Sequence, residues 1–581
     1  MTTLLPQLSK TCKLSLKSTR LVFKRKLHRK LSYYHQVGKE PLIPVTLGTL
    51  LEKAVGKYED REAIKVIHQN RTLTYKEVLN ECDKLAAALK DVGLERGDRV
   101  GIWATNILEW YITMFACARA GVILVTINPA YQPPELEYCI NKVGIKTLIS
   151  QDKDKYKDYY DFLTDIAPSI RSSEPGKIND PKLPSLKSVI VTGSEERKGA
   201  FNYNEFVNRP SKQSVNAIKN NQHLIDPDEG FNIQFTSGTT GFPKAALVNH
   251  FTMVNNSLQI ALRANILNKH HRICIQAPFF HALGTVVSLP TALHAGATLV
   301  VPSPTFKPHA VLDAIKNEKC SVITGTPTMY IDLVRAQEER QENISLDLAI
   351  TGGAPCSPRL FEEMRNVLNV QKQQSVYGLT ELTAVAFQSL VNDDKETVLT
   401  TVGCVGDHLE VKVIDDTGKI VPCGTPGELC VRGYSCMLGY WGDEEKTKEM
   451  MGPDRWLKTG DVFILEESGY GKIVSRKKDV IIRGGEKIFP KEIEDFLTAH
   501  PDIVECYVVG VPDERLGEEV VACLRMKNGT VVSELDIAQF CKGKISHYKI
   551  PKKVKIVDDF PKTGSGKVQK FKLQEQFAAA C

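Results

Sequence analysis

Thr236-Ser-Gly-Thr-Thr-Gly-Phe-Pro-Lys244 brings four hydroxyl side chains, two glycines and one ammonium group together in nine residues. The segment directly follows an apolar, strand-like run at residues 231–235. Glycine lets backbone N–H groups approach an anion, hydroxyls add donors and lysine adds a positive charge, so the segment suits a polyphosphate. The spacing is not that of a Walker P-loop, because Gly238 and Gly241 lie too close together and Lys244 follows a proline. A flexible turn has a similar composition, so the remainder of the chain must decide between the two.

Helices and strands alternate in the residues that precede this loop. Thr74 and Glu77 form a capping-box pattern that begins a helix, whose apolar face repeats at helical spacing until Gly93. This alternation indicates a largely parallel sheet with helices on both faces. Ligands of such sheets bind beyond the carboxyl ends of the strands, which is where the 236–244 loop falls. Strands are predicted at residues 63–67, 72–74, 99–103, 122–127 and 145–150, and further helices at 108–119 and 135–142.

The character of the sequence changes after about residue 400. Short β-like runs with glycine and proline turns continue as far as a polar segment, Ser475-Arg-Lys-Lys-Asp479. About 100 residues beyond this segment predict a small α+β unit, with a domain boundary near Lys478. The lysine-rich residues 152–160 and the polar residues 172–180 are predicted to be exposed connectors.

Positive charge is concentrated at the N-terminus. Residues 1–39 hold ten of the 75 lysines and arginines and no acidic residue, while the net charge of the whole chain is +6. The remainder has 65 basic and 69 acidic side chains, a mildly acidic body that is not typical of nucleic-acid-binding proteins. The arm is rich in serine and threonine, as mitochondrial transit peptides are, so residues 1–40 are predicted to be one. A basic, surface-binding tail is the alternative.

Length and cysteine spacing narrow the class of protein further. At 581 residues the chain is too long for a single core, and 42% hydrophobic with 25% charged residues is ordinary for a globular protein. The fifteen cysteines include no C-x-x-C pair, which excludes the common zinc spacings and fits a reduced compartment, the mitochondrial matrix or the cytosol. No run approaches the ~18 apolar residues of a membrane-spanning helix, so no transmembrane segment is predicted.

Two further segments end in a carboxylate. Tyr377-Gly-Leu-Thr-Glu381 offers an aromatic face, a hydroxyl and one carboxylate, and Mg²⁺ prefers one or two carboxylates together with substrate phosphates. Trp456-Leu-Lys-Thr-Gly-Asp461 ends in a carboxylate that can accept hydrogen bonds from two vicinal hydroxyls, as on a ribose. Taken alone, both segments are also ordinary turns.

Four more segments are informative through their glycines, histidine or lysine. Small residues in Thr351-Gly-Gly-Ala-Pro355 would let a flat ring lie against the backbone. Pro278-Phe-Phe-His-Ala-Leu-Gly284 places one histidine in an apolar run, and Arg483-Gly-Gly485 allows close backbone approach. Pro561-Lys-Thr-Gly-Ser-Gly-Lys567 holds a lysine on a glycine loop near the C-terminus. Separately, a turn, a core histidine, a β-bulge and a solvated lysine would account for these segments.

Taken in order, the motifs resemble those of the adenylate-forming superfamily, which includes acyl-CoA synthetases, luciferases and peptide-synthetase adenylation domains. The resemblance spans roughly residues 45–575 and is strongest to mitochondrial medium-chain acyl-CoA synthetases. It implies an α/β fold whose large N-terminal domain, residues 41–477, has parallel-rich sheets with helices and a small β-barrel-like subdomain. A small, mobile α+β C-terminal domain, residues 478–581, would follow, with Lys478 at the hinge. Ala245 and Ser475 replace the family's glycines, and these departures are predicted to tune rates.

The resemblance also implies a role for each matching residue. Phe280 and His281 would line the acyl pocket. Glu381 would hold Mg²⁺, and Gly484 with Gly485 would border the CoA tunnel. The catalytic candidates are Lys567, His281 and Thr380. The candidates for binding ATP or AMP are Thr236, Ser237, Gly238, Thr239, Thr240, Gly241, Lys244, Gly353, Ala354, Pro355, Tyr377, Gly378, Asp461 and Arg476.

The implied reaction is ATP-dependent ligation of a fatty acid, medium-chain by resemblance, to coenzyme A in the mitochondrial matrix. ATP, Mg²⁺, the fatty acid and coenzyme A are the implied small-molecule partners, with no nucleic acid. A luciferase-like oxygenase, a carrier-loading adenylation domain and a non-catalytic nucleotide-binding homologue are the alternatives. The ligase is favoured because Lys567, Asp461 and Glu381 are all present, the chain ends in Ala-Ala-Ala-Cys581 and only 14 residues follow Lys567.

Overall fold

The structure of the protein is a computed structural model that includes side chains. It describes residues 30–155, 157–236, 243–354, 356–527, 530, 532–564 and 566–578. Four β-sheets organise these residues, three of them in the chain up to Arg476 and one beyond it.

An eight-stranded sheet carries the loop between residues 236 and 244. Gly230–Thr236 and Lys244–Asn249, the strands on either side of this loop, pair antiparallel. The strand Ile123–Ile127 is buried throughout, and Leu124 enters a different hydrophobic cluster from Val125, because helices cover both faces. In spatial order the strands are Gly439–Tyr440, Lys244–Asn249, Gly230–Thr236, Ile123–Ile127, Arg99–Trp103, Ile145–Ser150, Ser188–Val191 and Phe201–Asn202.

A nine-stranded sheet shares its main hydrophobic cluster with the first sheet. Leu124 of the eight-stranded sheet and Leu299 and Ile350 of this one belong to that cluster. Its six inner strands, from Val370–Tyr377 to Glu62–Val66, are parallel, and antiparallel strands close both edges. In spatial order the strands are Cys404–Val405, Phe387–Gln388, Val370–Tyr377, Leu346–Gly352, Val322–Gly325, Arg272–Ile275, Thr298–Val301, Glu62–Val66 and Arg71–Thr74.

The helix Tyr75–Asp91 begins where its capping residues predict. The Thr74 hydroxyl accepts from the Glu77 backbone N–H at 3.2 Å and the Glu77 carboxylate accepts from the Thr74 N–H at 2.8 Å, which confirms the capping box.

Among the helices that the structure describes, none is both long enough and apolar enough to cross a bilayer. The α-helices are Leu47–Tyr58, Tyr75–Asp91, Leu108–Ala120, Pro133–Val143, Tyr159–Ile166, Tyr203–Val207, Lys212–Asn220, His250–Arg263, Leu289–Ala295, Pro308–Asn317, Pro327–Arg340, Pro358–Asn366, Lys395–Thr400, Glu444–Met450, Pro490–Thr498, Glu534–Cys541 and Lys570–Ala578.

The small subdomain before residue 477 is a five-stranded antiparallel sheet. Its edge strand, Tyr33–Gln36, pairs with Leu409–Ile414 and lies within the segment predicted to be a transit peptide, residues 1–40. Ser32 is fully buried and its N–H donates to the Val421 carbonyl at 2.7 Å. Residues 1–29 lie outside the described residues. The strands, in spatial order, are Tyr33–Gln36, Leu409–Ile414, Gly427–Gly433, Leu457–Leu465 and Gly471–Arg476.

The C-terminal part is an α+β unit with its own sheet and core. Ile481 and Leu524, on two of its strands, share a hydrophobic cluster with Leu497 and Ile537 of its helices. Gly517–Met526 pairs with Ile503–Asp513 over most of its length. The apolar residues of both strands are consecutive, and neighbours such as Val520 and Val521 enter different hydrophobic clusters, so both faces of the sheet are buried here. The strands are Glu486–Ile488, Ile481–Arg483, Gly517–Met526, Ile503–Asp513 and Lys553–Ile556.

Two segments that were predicted to be exposed connectors are partly buried. Tyr159 and Tyr160 begin a helix and are 1% and 2% exposed. Lys157 donates to the Pro129 carbonyl at 2.8 Å and its ammonium stands 5.0 Å from the centre of the Trp103 ring. In the second segment, residues 172–180, the side chains of residues 178 and 180 are buried. The prediction was therefore wrong for the first segment, because its lysine stem and tyrosine rings cover apolar surface while the polar ends find partners. Residues 172–177 of the second segment are exposed or half-buried, as predicted.

Candidate active site

The predicted motifs lie at strand ends in both large sheets. In the nine-stranded sheet, Leu346–Gly352 and Val370–Tyr377 are adjacent and parallel, so their carboxyl ends lie side by side. The hydroxyl of Thr236, at the end of its strand in the other sheet, lies 3.4 Å from Oε1 of Glu381. The strand ends therefore meet in one region, as is typical of ligand sites in open α/β sheets.

The structure describes the two ends of the predicted phosphate loop. Thr236 and Lys244 are directly opposite each other in the antiparallel pair. Ala245, one of the two departures from the family pattern, is 1% exposed and packs in a hydrophobic cluster. The loop candidates that lie outside the described residues are Ser237, Gly238, Thr239, Thr240 and Gly241.

Tyr377, Asp461 and Arg476 form a connected polar group. The Tyr377 hydroxyl donates to Oδ2 of Asp461 at 2.6 Å, and Nε of Arg476 donates to Oδ1 at 2.8 Å. Burial raises the pKa of Asp461, although the neighbouring guanidinium opposes that rise. Burial, reinforced by the Asp461 charge, also raises the pKa of Tyr377 far above its usual range, so the phenol is a neutral donor. Each carboxylate oxygen keeps a second acceptor position, which ribose hydroxyls could use.

Two predicted glycines occupy positions that disfavour other residues, one because of its backbone conformation and one because of lack of space. Gly353 has a φ of +85°, in the left-handed region. A Cβ on Gly378 would lie 1.7 Å from the Ala384 carbonyl oxygen, which is an impossible contact. The backbone of this turn therefore packs against its neighbour with no side chain between them. Ala354 is half-buried beside Gly353, and Pro355 lies outside the described residues.

Glu381 lies on a 3₁₀ turn, Thr380–Leu382, and is 9% exposed. Its Oε1 accepts hydrogen bonds from the Tyr440 hydroxyl at 2.7 Å and from Thr236. No donor among the described residues reaches its Oε2, so one oxygen is available to a ligand. The described residues contain no cluster of three metal-ligating side chains. A single free carboxylate oxygen suits Mg²⁺, which takes few protein ligands and otherwise binds water and substrate phosphates.

Lys567 reaches this region from the C-terminal part of the chain. Its Cε lies 3.4 Å from the position that a Cβ on Gly353 would occupy. Burial lowers the pKa of Lys567 to about 8, and the Arg476 guanidinium acts in the same direction. The Glu381 and Asp461 carboxylates favour the charged form. The predicted catalytic lysine therefore lies among the predicted adenosine and metal residues, more than 300 residues from the phosphate loop in sequence.

The loop that carries Lys567 docks on the large domain through its glycines. The Thr328 hydroxyl donates to the Gly566 carbonyl at 3.1 Å. A Cβ on Gly566 would stand 3.2 Å from Oγ1 of Thr326, and a Cβ on Gly564 would stand 3.0 Å from Oδ1 of Asn128. Both contacts are tighter than ordinary side-chain packing, so the small residues just before Lys567 permit this docking.

His281 stands at the start of an irregular helical segment. The residues that follow it, Leu283–Ser288, form a π-helical turn, and such turns are frequent at functional sites. The Leu283 N–H donates to Nδ1 of His281 at 3.3 Å, so the ring proton resides on Nε2. Burial, with help from the Lys567 charge, lowers the pKa of His281 to about 3. The ring is therefore neutral at physiological pH. Phe280 packs against the main cluster, and half-buried Thr380 begins the turn that carries Glu381.

Three further predicted residues do not contact this region. Lys478 is exposed on the 3₁₀ turn Lys477–Asp479 between the two parts of the chain. Gly484 and Gly485 form the exposed turn of a hairpin and have φ values of +60° and +87°. Ser475, the second departure, is 6% exposed and its hydroxyl donates to the Arg476 carbonyl at 3.0 Å.

Sequence reasoning missed Tyr440 and the residues that hold the Lys567 loop. Tyr440 belongs to a two-residue strand in which it pairs with Ala246, and this pairing brings its side chain to Glu381. An aromatic residue in a glycine-rich stretch, Gly439-Tyr-Trp-Gly442, was the only available signal. Thr328 gives no signal at all, because its partner lies 238 residues away.

Polar residues at adjacent strand ends and a lysine from the C-terminal part of the chain meet in one site, as in adenylate-forming enzymes. The family profile of AMP-binding enzymes matches residues 51–441, and that of the AMP-binding enzyme C-terminal domain matches residues 492–567. The chain belongs to the family of AMP-binding enzymes.

Known proteins similar to the chain support this assignment. The mitochondrial medium-chain acyl-CoA ligase ACSF2 of Danio rerio is 42% identical over 548 residues, which is 94% of this chain and 90% of the relative. The putative acyl-CoA synthetase YngI of Bacillus subtilis is 37% identical, over 92% of this chain and 97% of that protein. Among solved structures, ATP-bound MatB of Rhodopseudomonas palustris is 27% identical and superposes with a TM-score of 0.78. The match covers 93% of this chain and all of that one.

These similarities confirm three predictions. The family, the α/β fold class with a large N-terminal and a small C-terminal domain, and the acyl-CoA ligase type of reaction through an acyl-adenylate are as predicted. Similarity alone does not assign a role to any individual residue.

Proposed function

We propose that this acyl-CoA ligase activates a medium-chain fatty acid at the site around Lys567. The observation that carries the proposal is the position of Lys567, which approaches Gly353 and faces Glu381, Asp461 and Arg476. In the first step a carboxylate oxygen attacks the α-phosphorus of ATP, the bond to the β-phosphate breaks and pyrophosphate leaves. Lys567 neutralises charge at the reacting centre.

The remaining site residues bind and orient the nucleotide. Thr236 and Lys244 hold the β- and γ-phosphates together with the loop residues Ser237, Gly238, Thr239, Thr240 and Gly241. Tyr377 stacks on adenine beside Gly353, Ala354, Pro355 and Gly378, and Asp461 with Arg476 binds the ribose. Thr380 contacts phosphate and His281 lines the acyl pocket as a neutral ring. These roles rest on the family resemblance and, for the described residues, also on the contacts given above; each is a proposal for this chain.

Glu381 is the proposed ligand of Mg²⁺. The Oε2 atom, which no donor among the described residues reaches, and the neighbouring Thr236 hydroxyl support this assignment. When bound, Mg²⁺ neutralises the phosphates and orients the pyrophosphate leaving group.

The second step requires the small domain to move. We propose that it rotates about Lys478, which withdraws Lys567 and brings the Gly484-Gly485 turn toward the site. The CoA thiolate then attacks the acyl carbonyl, the bond to the phosphate oxygen breaks and AMP leaves. The exposed position of Lys478 between two separately packed cores supports a hinge there. The domain boundaries at residues 41–477 and 478–581 are proposed on the same ground.

The mitochondrial matrix is the proposed compartment. The basic, acid-free arm supports it, as do mitochondrial relatives such as that of Danio rerio. Because Tyr33–Gln36 is a strand of a sheet and the Lys30 carbonyl accepts from the Cys423 N–H, the proposed transit peptide ends before Lys30 rather than at residue 40.

Separating the two half-reactions tests the central proposal. Lys567→Ala should lower pyrophosphate release from ATP and fatty acid at least a hundredfold, since one preorganised charge contributes ~3–4 kcal/mol to such steps. Thioester formation from supplied acyl-AMP should stay within about threefold of wild type, because Lys567 has left the site by then. Equal loss in both half-reactions would contradict the two-conformation mechanism.

Chain-length preference and reaction class need a separate measurement. A series of fatty acids of about 4 to 16 carbons should give a maximum of kcat/KM at intermediate length, since each buried CH₂ contributes ~0.8 kcal/mol until the pocket is full. AMP and acyl-CoA should appear in equal amounts, without light emission. A maximum at the longest or shortest acid would contradict the medium-chain assignment.

A further inference from the structure

Residues 437–441 link two parts of the active site through their backbone. The Met437 N–H donates to the Glu381 carbonyl at 2.9 Å. The Leu438 N–H donates to the Leu247 carbonyl at 2.8 Å and the Trp441 N–H to the Ala245 carbonyl at 2.8 Å. The segment is therefore fixed on one side to the turn that carries Glu381 and on the other to the strand that begins at Lys244.

Tyr440 makes the same connection with its side chain. Its hydroxyl donates to Oε1 of Glu381 at 2.7 Å, and its ring centre lies 5.1 Å from the Lys244 ammonium, within cation–π range. The residue is 6% exposed. Sδ of Met450 lies 2.8 Å from the hydroxyl oxygen, but the single proton points to the carboxylate, which is the stronger acceptor.

The hydrogen bond from Tyr440 restricts the Glu381 carboxylate to one orientation. Oε1 is engaged by Tyr440 and, at 3.4 Å, by Thr236, while no described donor reaches Oε2. A carboxylate held through one oxygen presents the other in a fixed direction, so it loses less conformational freedom when a cation binds.

We propose that Tyr440 is a positioning residue that aligns the Glu381 carboxylate toward a divalent cation while its ring holds the Lys244 ammonium. This inference rests on the proposed function, in which Glu381 binds Mg²⁺. Tyr440 itself contacts neither the cation nor the reacting atoms, and it acts through its two neighbours.

Tyr440→Phe isolates the hydroxyl, because the ring that faces Lys244 remains. The Mg²⁺ concentration that gives half-maximal ATP binding, measured by calorimetry with the full-length protein, should rise about tenfold, as is typical when a residue that orients a metal ligand is lost. Mn²⁺ binding to the enzyme–ATP complex, followed by electron paramagnetic resonance, should weaken by the same factor. Thioester formation from supplied acyl-AMP should be unchanged.

Tyr75→Phe is the matched control for loss of a buried phenol hydroxyl. Tyr75 is fully buried and its hydroxyl donates to the Ala297 carbonyl at 2.7 Å. Within the described residues, this hydroxyl makes no hydrogen bond to Glu381 or Lys244. This variant loses a similar interaction, so any general effect of destabilisation appears in it as well. Its Mg²⁺ half-saturation should equal that of wild type.

Glu381→Gln and the double variant distinguish the inference from the proposed function beneath it. Glu381→Gln should raise the Mg²⁺ half-saturation, and adding Tyr440→Phe to it should have little further effect, because the hydroxyl acts through that carboxylate. If Glu381→Gln shifts the half-saturation and Tyr440→Phe does not, the role of Tyr440 is wrong and that of Glu381 stands. If neither variant shifts it, the metal role of Glu381 is wrong and the inference falls with it. Additive effects in the double variant would also overturn the inference.

Discussion

At the scale of single residues, Lys567 combines a positive charge with partial burial. Desolvation disfavours the ammonium form and Arg476 repels it, while two carboxylates partly compensate. The result is a pKa of about 8, within reach of ordinary assay conditions. His281 lies on the other side of physiological pH, with a pKa of about 3, so it contributes no ionisation there.

The pKa of Lys567 predicts the pH dependence of adenylation. Only the protonated lysine can neutralise developing negative charge, so kcat/KM for pyrophosphate release should be level below pH 8 and fall above it, by about tenfold per pH unit. A profile from pH 6 to pH 10 checks this. The pH profile of thioester formation from acyl-AMP should not show the fall that is due to Lys567. Lys567→Arg should remove it from the residual adenylation activity, since a guanidinium stays charged.

A level profile to pH 10 in the wild-type enzyme would contradict the low pKa of Lys567. A fall that persists in Lys567→Arg would assign the ionisation to another group. Either result would remove Lys567 as the source of the pH dependence.

Sequence patterns identified residues with strong local motifs and missed those defined by pairing. Lys567 stands in a distinctive glycine loop, so the resemblance located it although its neighbours Gly353 and Glu381 are far away in sequence. Tyr440 reaches Glu381 only because its two-residue strand pairs with Ala246. Strand register across 194 positions of the chain is not encoded in local composition.

At the scale of secondary-structure elements, buried parallel strands were the easiest to predict. Arg99–Trp103 and Ile145–Ser150 match their predicted bounds, because strands covered on both faces are rich in apolar residues. The strand Tyr33–Gln36 was not predicted, since each of its four residues is exposed or half-buried and its partner strand is far away in sequence. The segment 152–160 was predicted wrongly because its lysine and tyrosines hide apolar surface beneath polar ends.

Replacing glycine with alanine should have opposite effects in two elements. Gly378→Ala would put a methyl group 1.7 Å from the Ala384 carbonyl oxygen, which should lower the free energy of unfolding by about 3 kcal/mol through overpacking. Gly56 lies in the helix Leu47–Tyr58 with open space around it, so Gly56→Ala should raise that free energy by about 0.5–1 kcal/mol.

Thermal and urea unfolding of both variants would measure the two effects. A lowered midpoint for Gly378→Ala together with a raised one for Gly56→Ala is expected. Similar midpoints for the two variants would mean that the turn at Gly378 relaxes easily, which contradicts the tight packing described above.

At the scale of the whole molecule, Arg359 joins the two domains. It lies on the helix Pro358–Asn366 of the large domain, and its Nη1 donates to the carbonyls of His500 at 3.4 Å and Ile503 at 3.0 Å in the small one. These carbonyls belong to the domain that carries Lys567. The contact therefore favours the arrangement in which Lys567 is inserted.

Arg359→Ala should slow adenylation about fivefold, because a half-exposed charged hydrogen bond contributes ~1 kcal/mol to the inserted arrangement. Thioester formation from acyl-AMP should be unchanged or faster, since that step uses the other arrangement. Rapid-quench assays of the two half-reactions would measure this. Arg335→Ala, which removes an exposed arginine paired with Glu339, is the control and should leave both steps unaffected.

Two N-terminal truncations test where the folded protein begins. A protein lacking residues 1–29 should melt at the temperature of the full chain. A protein lacking residues 1–40 should melt several degrees lower, since it loses the Tyr33–Gln36 strand and buried Ser32. Equal melting temperatures for the two truncated proteins would show that the edge strand contributes nothing to stability.

The N-terminal strand also has a consequence for the order of events during synthesis. Its Tyr33 bonds to Glu410, 377 residues further along the chain. A ribosome adding ~5–20 residues per second needs tens of seconds to make that partner. Throughout this interval the strand Tyr33–Gln36 lacks the partner strand with which it pairs in the folded protein. Among the three sheets that precede Lys477 in the described residues, the one that holds this first strand is therefore the last to be completed, because its last strand ends at Arg476.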